Sequence, residues 1–143
     1  EPNVCPTSRR AEVLYELRDA GIPTIVWLCP ILPYINDSVE NLEGILSICR
    51  AAKVFGVLCF GFGMTLRDGN REYYYQKLDE LFPGLSSRYA AEFGQNYSVP
   101  SPNSEELESV FSTFCKAEKI ERDADKIFSF MSEIKRDKQT TLF

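Results

Sequence analysis

The sequence predicts an α/β fold: a parallel strand–helix–strand unit in residues 1–65, followed by a helical extension over 66–143. Three observations predict it. Two short runs, Thr24-Ile25-Val26-Trp27-Leu28-Cys29 and Gly56-Val57-Leu58-Cys59-Phe60, are apolar throughout rather than alternating. That is the pattern of strands buried on both faces of a parallel sheet. An amphipathic helical stretch lies between them, which makes the unit a right-handed βαβ crossover. Beyond Met64 the apolar residues recur at helical spacing only.

The elements follow in order. Thr7 to Ala20 reads as a helix with Val13, Leu14 and Leu17 on one stripe. Pro2 and Pro6 keep its approach extended, Gly21 suits a left-handed cap, and Pro23 prevents continuation. After the first strand, Pro30 and Pro33 force a loop through Asn36. Asp37-Ser38-Val39-Glu40 has capping-box spacing, with Asp37 as cap. Val39, Leu42, Ile45, Leu46 and Cys49 then form a helical stripe ending near Lys53. The second strand closes on Gly61-Phe62-Gly63, and Thr65 to Asn70 is a polar turn.

In the extension, a helix from Glu72 to Phe82 runs its stripe through Tyr74, Leu78, Leu81 and Phe82. Pro83-Gly84 breaks it before a shorter helix from Leu85 to Phe93. Gln95 to Asn103 reads as a loop. Asn103 and Glu106 make a second capping pair for a helix with Leu107, Val110, Phe111 and Phe114 inward. A last helix runs from Glu121 to about Ile134, with Ile127, Phe128, Met131 and Ile134 inward, and Lys135 to Phe143 frays. The extension is expected to rest on the α/β part.

Composition excludes several chemistries. There is no His, so Ser-His-Asp and Cys-His catalysis and every His-containing metal site are ruled out within these 143 residues. No two of the five cysteines lie within four positions of each other, so no C-x-x-C half-site exists. Cys29, Cys49 and Cys59 fall in apolar patterns and read as small buried hydrophobes, which fits a reducing, cytoplasmic setting. The net charge of −5 does not favour nucleic acid as a partner. No apolar run reaches the ~18 residues that a membrane-spanning helix needs. Tyr73-Tyr74-Tyr75 reads as packing, since three consecutive residues cannot share one helix face.

Glu1 stands where an initiator Met is expected, and two strands make a poor sheet. The chain therefore reads as a piece of a longer one. Nothing in it covers the outer edge of the first strand. Such edges pair with other chains, and the isolated piece is expected to form an edge-strand homodimer.

Three segments carry a resemblance: Arg9-Arg10-Ala11-Glu12-Val13-Leu14, Asp19-Ala20-Gly21-Ile22-Pro23, and Cys29-Pro30-Ile31-Leu32-Pro33-Tyr34-Ile35-Asn36-Asp37. They resemble the radical S-adenosylmethionine enzymes, most of all the spore photoproduct lyase-related (DNA repair photolyase-like) proteins. Members there read R-hydrophobic-E, then A-G-I-P, then P-I-I-P-G-L-N-D. The resemblance implies the C-terminal portion of a partial (β/α)6 TIM-like barrel, about two parallel strands of it, with an α-helical C-terminal extension. It also implies S-adenosylmethionine and a [4Fe-4S] cluster in the full-length parent. The cluster's C-x-x-x-C-x-x-C loop would lie in the missing N-terminal half of the barrel, so this fragment alone is expected to bind neither group.

Carried over residue by residue, the resemblance makes Arg10 the ligand of the methionine carboxylate, with Arg9 as the fallback. A planar guanidinium matches a carboxylate bidentately. A solvated first-turn Arg is the plain alternative. Leu32 becomes an apolar contact for adenine, although Tyr34 stands where the family has a glycine. Asn36 and Asp37 read as turn and cap. Gly61 and Gly63 allow backbone approach to adenine and Phe62 could stack on it, or the three simply bend the strand into the extension. The parent's substrate is open, with nucleic-acid repair suggested by analogy alone. The competing reading is a non-catalytic helical interaction module on a small α/β base.

Overall fold

The computed structural model describes residues 4–133. The expectations for Glu1, Pro2, Ile134 and the 135–143 tail lie outside the described residues. The chain is mixed α/β and mostly helical. In order it forms α1 (Thr7–Asp19), β1 (Ile25–Trp27), α2 (Val39–Ala51), β2 (Gly56–Leu58), β3 (Gly63–Thr65), α3 (Asn70–Leu81), α4 (Leu85–Phe93), β4 (Ser98–Pro100), α5 (Ser104–Glu118) and α6 (Ala124–Glu133). Among the described residues there is no closed barrel, and no helix is long and apolar enough to cross a membrane.

The predicted crossover is present. β1 and β2 pair in parallel with Ile25 opposite Gly56, Val26 opposite Val57 and Trp27 opposite Leu58. Both neighbouring helices end in Schellman motifs. After α1, Gly21 at φ +72° lets the Gly21 and Ile22 amides donate to the Arg18 and Leu17 carbonyls. After α2, Lys53 takes the same left-handed position at φ +52°. The main core lies on the α2 side of the sheet, where Val57, Leu42, Leu46 and Cys49 meet Leu107, Phe111 and Cys115 of α5. The extension thus shares a core with the α/β part, because α5 lies along α2.

The two borders of the parallel sheet differ. On the far side of β2, the Glu121 amide donates to the Phe55 carbonyl at 3.0 Å and the Val57 amide donates to the Glu121 carbonyl at 2.9 Å. A parallel bridge between Gly56 and Glu121 therefore seals this edge. Gly56 is required there, since a Cβ would stand 2.8 Å from the Glu121 carbonyl oxygen and 2.8 Å from Ile127. The outer edge of β1 has no partner strand among the described residues. Thr24 and Leu28 bond towards β2, through Phe55 and Leu58. Backbone groups alternate along a strand, so Ile25 and Trp27 direct theirs to the open edge.

Several expectations are corrected. β1 is not buried on both faces: Trp27 is 59% exposed, because its face has no cover at that point. Of the α1 stripe, Val13 is exposed and only Ala11 of the helix is buried. Ser38, not Asp37, caps α2, accepting from the Asn41 amide at 3.2 Å. Asn103 does not cap α5 with its side chain, which donates instead to the Asp37 carbonyl at 3.0 Å. Leu81, Phe82, Phe128 and Met131 are exposed, while Leu78 and Ile127 fill the core positions of their helices. Cys29 is exposed and Cys59 half-buried, whereas Cys49 and Cys115 are buried.

Two further strands form where the sequence predicts the close of the second strand and a loop: β3 at the end of the α/β part and β4 in the extension. β3 and β4 pair antiparallel, with Met64 opposite Val99. Gly63 makes this possible, since a Cβ there would lie 2.5 Å from the Val99 carbonyl oxygen. Arg71, 4% exposed, fastens the ribbon to α3. Its guanidinium donates to the carbonyls of Leu66, Gly94, Gln95 and Asn96 at 2.9–3.2 Å. Of the three consecutive tyrosines, Tyr73 is exposed while Tyr74 and Tyr75 meet the Tyr89 ring.

Gly56→Ala should open the sealed border. The expected cost is about 1–3 kcal/mol, the range for overpacking a filled site. It should appear as a lower urea midpoint with an unchanged slope.

Candidate functional site

The site is built where β1 ends. The chain leaves the strand through a cis Cys29–Pro30 peptide and turns over the carboxyl end of the sheet. α1 passes on one side and α2 on the other, with Arg18 of α1 donating to the Ala51 carbonyl at 2.8 Å. A cleft of about 190 Å³ remains between them, lined among others by Thr7, Arg10, Trp27, Cys29, Ile31 and Asn36. Ligands of open α/β sheets bind at this end of the strands.

Arg10 of α1 and Trp27 at the end of β1 are both in the lining, and a guanidinium suits a ligand with an anionic group. Among the described residues, the lining contains no carboxylate. Among the described residues, no group of His, Cys, Asp or Glu is placed to hold a metal ion.

The β1–α2 loop forms the floor and is held from several directions. The Leu32 amide donates to Asn36 Oδ1 at 2.5 Å, and Asn41 Nδ2 donates to the Asn36 carbonyl at 2.8 Å. The Ile31 amide reaches the Gly63 carbonyl at 3.1 Å. Tyr34 sits in the left-handed region at φ +63°. Its ring lies 3.6 Å from the Arg88 guanidinium carbon, and its hydroxyl donates to Glu92. Burial first, and then the Glu92 carboxylate, push the Tyr34 phenol above its ordinary value. Asp37, 5% exposed, accepts from Ser101 Oγ at 2.6 Å.

The predicted site residues separate. Arg10 lines the cleft. Arg9 points to solvent and pairs with Glu12 at 2.7 Å and Glu16 at 3.7 Å. Leu32 is half-buried in the loop, outside the cleft lining. Gly61 is exposed at φ +110° just beyond the end of β2. Phe62 is 4% exposed, and its ring is core, edge-on to Phe111 with centroids 6.0 Å apart. Gly63 meets strand β4, so its missing side chain serves the ribbon.

Trp27 and Phe60 were not singled out from the sequence. They form an exposed pair with centroids 5.5 Å apart, at 59% and 64% exposure. Pairing the two apolar runs in register is what would have shown it. Trp27 stands opposite Leu58, so Phe60 follows two residues later on the same face.

No family model matches the chain, and no solved structure matches it. Proteins of Mycobacterium bovis and of two strains of Mycobacterium tuberculosis, each named as uncharacterized, are similar to it. Each is 35% identical over 80 residues, which is 56% of this chain and 23% of the relative. The chain thus spans about a quarter of the length of the curated relatives it matches.

Cysteine chemistry tests this arrangement. Burial pushes the Cys49 and Cys115 thiols up to about 11. An unfolded thiol titrates near ~8.5, so the unfolded chain ionises first as the pH rises. The stability that burial provides is complete below that value and is lost as the pH approaches 11. Denaturant titrations over this window should show the fall, and Cys115→Ala should flatten it. Native alkylation read by mass spectrometry should mark Cys29 in the cleft well before Cys49 or Cys115.

Proposed function

We propose that this chain is the C-terminal part of a radical S-adenosylmethionine enzyme, with Arg10 binding the carboxylate of that cofactor. The observation that carries the reading is the cleft: the arginine singled out by the family pattern lines it, with Trp27 at the carboxyl end of β1 also in the lining. S-adenosylmethionine fits this donor set, since it joins a carboxylate to a planar adenine. Arg10 would hold the carboxylate bidentately, and Trp27 would be the aromatic residue of the lining available to the ring. The cluster does not fit here. Among the described residues no ligand group exists for it, so its cysteines are assigned to chain outside these residues. When bound there, the two groups together supply hydrogen-abstraction chemistry. This chain's own residues bind, orient and wall off.

In this reading the parallel pair belongs to a partial (β/α)6 barrel, and the rest of the barrel is the partner of the β1 edge. Two features support it. The edge and the Trp27 face are bare on that side while the β2 border is sealed. In addition, α1 buries only one residue, as a barrel helix does when one of its neighbours is missing. The five free thiols accord with a reducing, cytoplasmic setting.

In a longer protein carrying this segment and its cluster, Arg10→Ala should weaken S-adenosylmethionine binding by about 1.5–3 kcal/mol, the scale of a charged hydrogen bond. Arg9→Ala should leave it unchanged. Calorimetry measures both, and an unaltered affinity in Arg10→Ala retires the assignment.

The isolated chain should dimerise through the β1 edge at high concentration. Ile25→Pro removes an outward-facing N–H without touching the bonds to β2, so it should restore the monomer. Light scattering reads the mass, and a wild-type chain that is monomeric throughout argues against edge pairing.

A further inference from the structure

The cleft's floor is shaped from behind by residues more than fifty positions away. Tyr89 is fully buried, and its hydroxyl donates to the Pro33 carbonyl at 2.7 Å. The same oxygen accepts from the Tyr74 hydroxyl at 3.4 Å. Its ring stands edge-on to Tyr34, with centroids 6.2 Å apart, and to Phe93 at 5.3 Å. A buried hydroxyl is costly unless it is bonded, and a phenylalanine would fill the same volume without that cost. The phenol's contribution beyond volume is therefore directed at the loop. Pro33 is itself fully buried. At the loop's other end, Ser101 Oγ holds the buried Asp37 carboxylate and Asn103 holds the Asp37 carbonyl. Between these two anchors lies Asn36, which lines the cleft and closes the turn onto the Leu32 amide, while Cys29, Pro30 and Ile31 of the lining lie just before the first anchor.

We infer that Tyr89 and Ser101 are positioning residues for the cleft. They fix the two ends of the 33–37 segment from the extension side, and so set where Asn36 stands in the cleft lining and where the chain leaves Ile31. This gives the extension a task beyond covering the sheet. It holds the site loop in one conformation, and residues that touch no ligand then govern ligand affinity through it. The inference rests on the cleft being the ligand site. The experiment reads the loop with no ligand present, so its failure leaves that reading standing.

Hydrogen exchange on the full chain tests it. In Tyr89→Phe, the Ile31, Leu32, Ile35 and Asn36 amides should exchange roughly tenfold faster, the effect of losing one buried hydrogen bond. The α2 and α5 core amides should keep their rates. Ser101→Ala releases the other anchor without touching the tyrosine cluster and provides the second arm. Trp27 is the only tryptophan, so its indole N–H gives a single reporter resonance. That resonance should shift in both variants but not in Ile127→Val, which thins the core beside Gly56. Two results would overturn the inference. One is loop amides that exchange as in wild type. The other is exchange that rises equally in α2 and α5, which makes the two side chains ordinary core contacts.

Discussion

The structure turns on an asymmetry in hydrogen bonding across one very small sheet. Each border of a strand carries a row of amide and carbonyl groups that must find partners. At β2 the row is met by Glu121, returning from the extension. Asp123 and Arg122 amides grip the Glu121 carboxylate, which holds it below the usual carboxylate range and fixes the turn that delivers the backbone. At β1 the row is left to whatever lies beside it. A strand of three residues offers few bonds of its own. Its position therefore depends on what the neighbouring helices and loops impose.

Those impositions come mainly from the extension. α5 lies along α2 and completes the core beneath the sheet, so the crossover helix is clamped between β-structure and α5. The ribbon of β3 and β4 leads the chain out of the sheet and back to Ser101. Arg71 ties that path together by donating to the Leu66 carbonyl after β3 and to the Gly94, Gln95 and Asn96 carbonyls before β4. The result is a second cluster, centred on Tyr89, directly behind the β1–α2 loop. Sheet end, loop and tyrosine cluster thus form three successive layers, and the cleft opens on the first of them.

What could be read from the residues was what local chemistry decides. α1 ends before Gly21 and α2 just before Lys53, where its pattern stops, and the two apolar runs pair in parallel as their composition demands. The errors arose where distant residues choose between equal local options. Asp37 and Ser38 are both good caps. Ser38 takes the helix because Asp37 is drawn to Ser101, sixty-four positions later. Gly63-Met64-Thr65 and Ser98-Val99-Pro100 are too short to show a period, and each is a strand only because the other exists. A motif names Arg10, and the structure places that residue in the cleft lining. The exposure of Trp27 was not legible, because an apolar residue in an apolar run reads as core until the register shows which face is covered. Phe62 is the converse case: its flanking glycines suggest an open approach, while Phe111 gives its ring a buried place.

The exposure of Trp27 also bears on how strongly the cleft can bind. A guanidinium–carboxylate pair in open solvent is worth roughly 0–1 kcal/mol, while the same pair screened from water gains severalfold as the effective dielectric falls. Arg10 is exposed, and so is Trp27. In the proposed reading, a strand added to the β1 edge would cover that indole and dry the mouth of the cleft in one step. In that reading, completion of the sheet and competence of the site are one event, and Arg10 holds a carboxylate more tightly once the wall beside the cleft is continued.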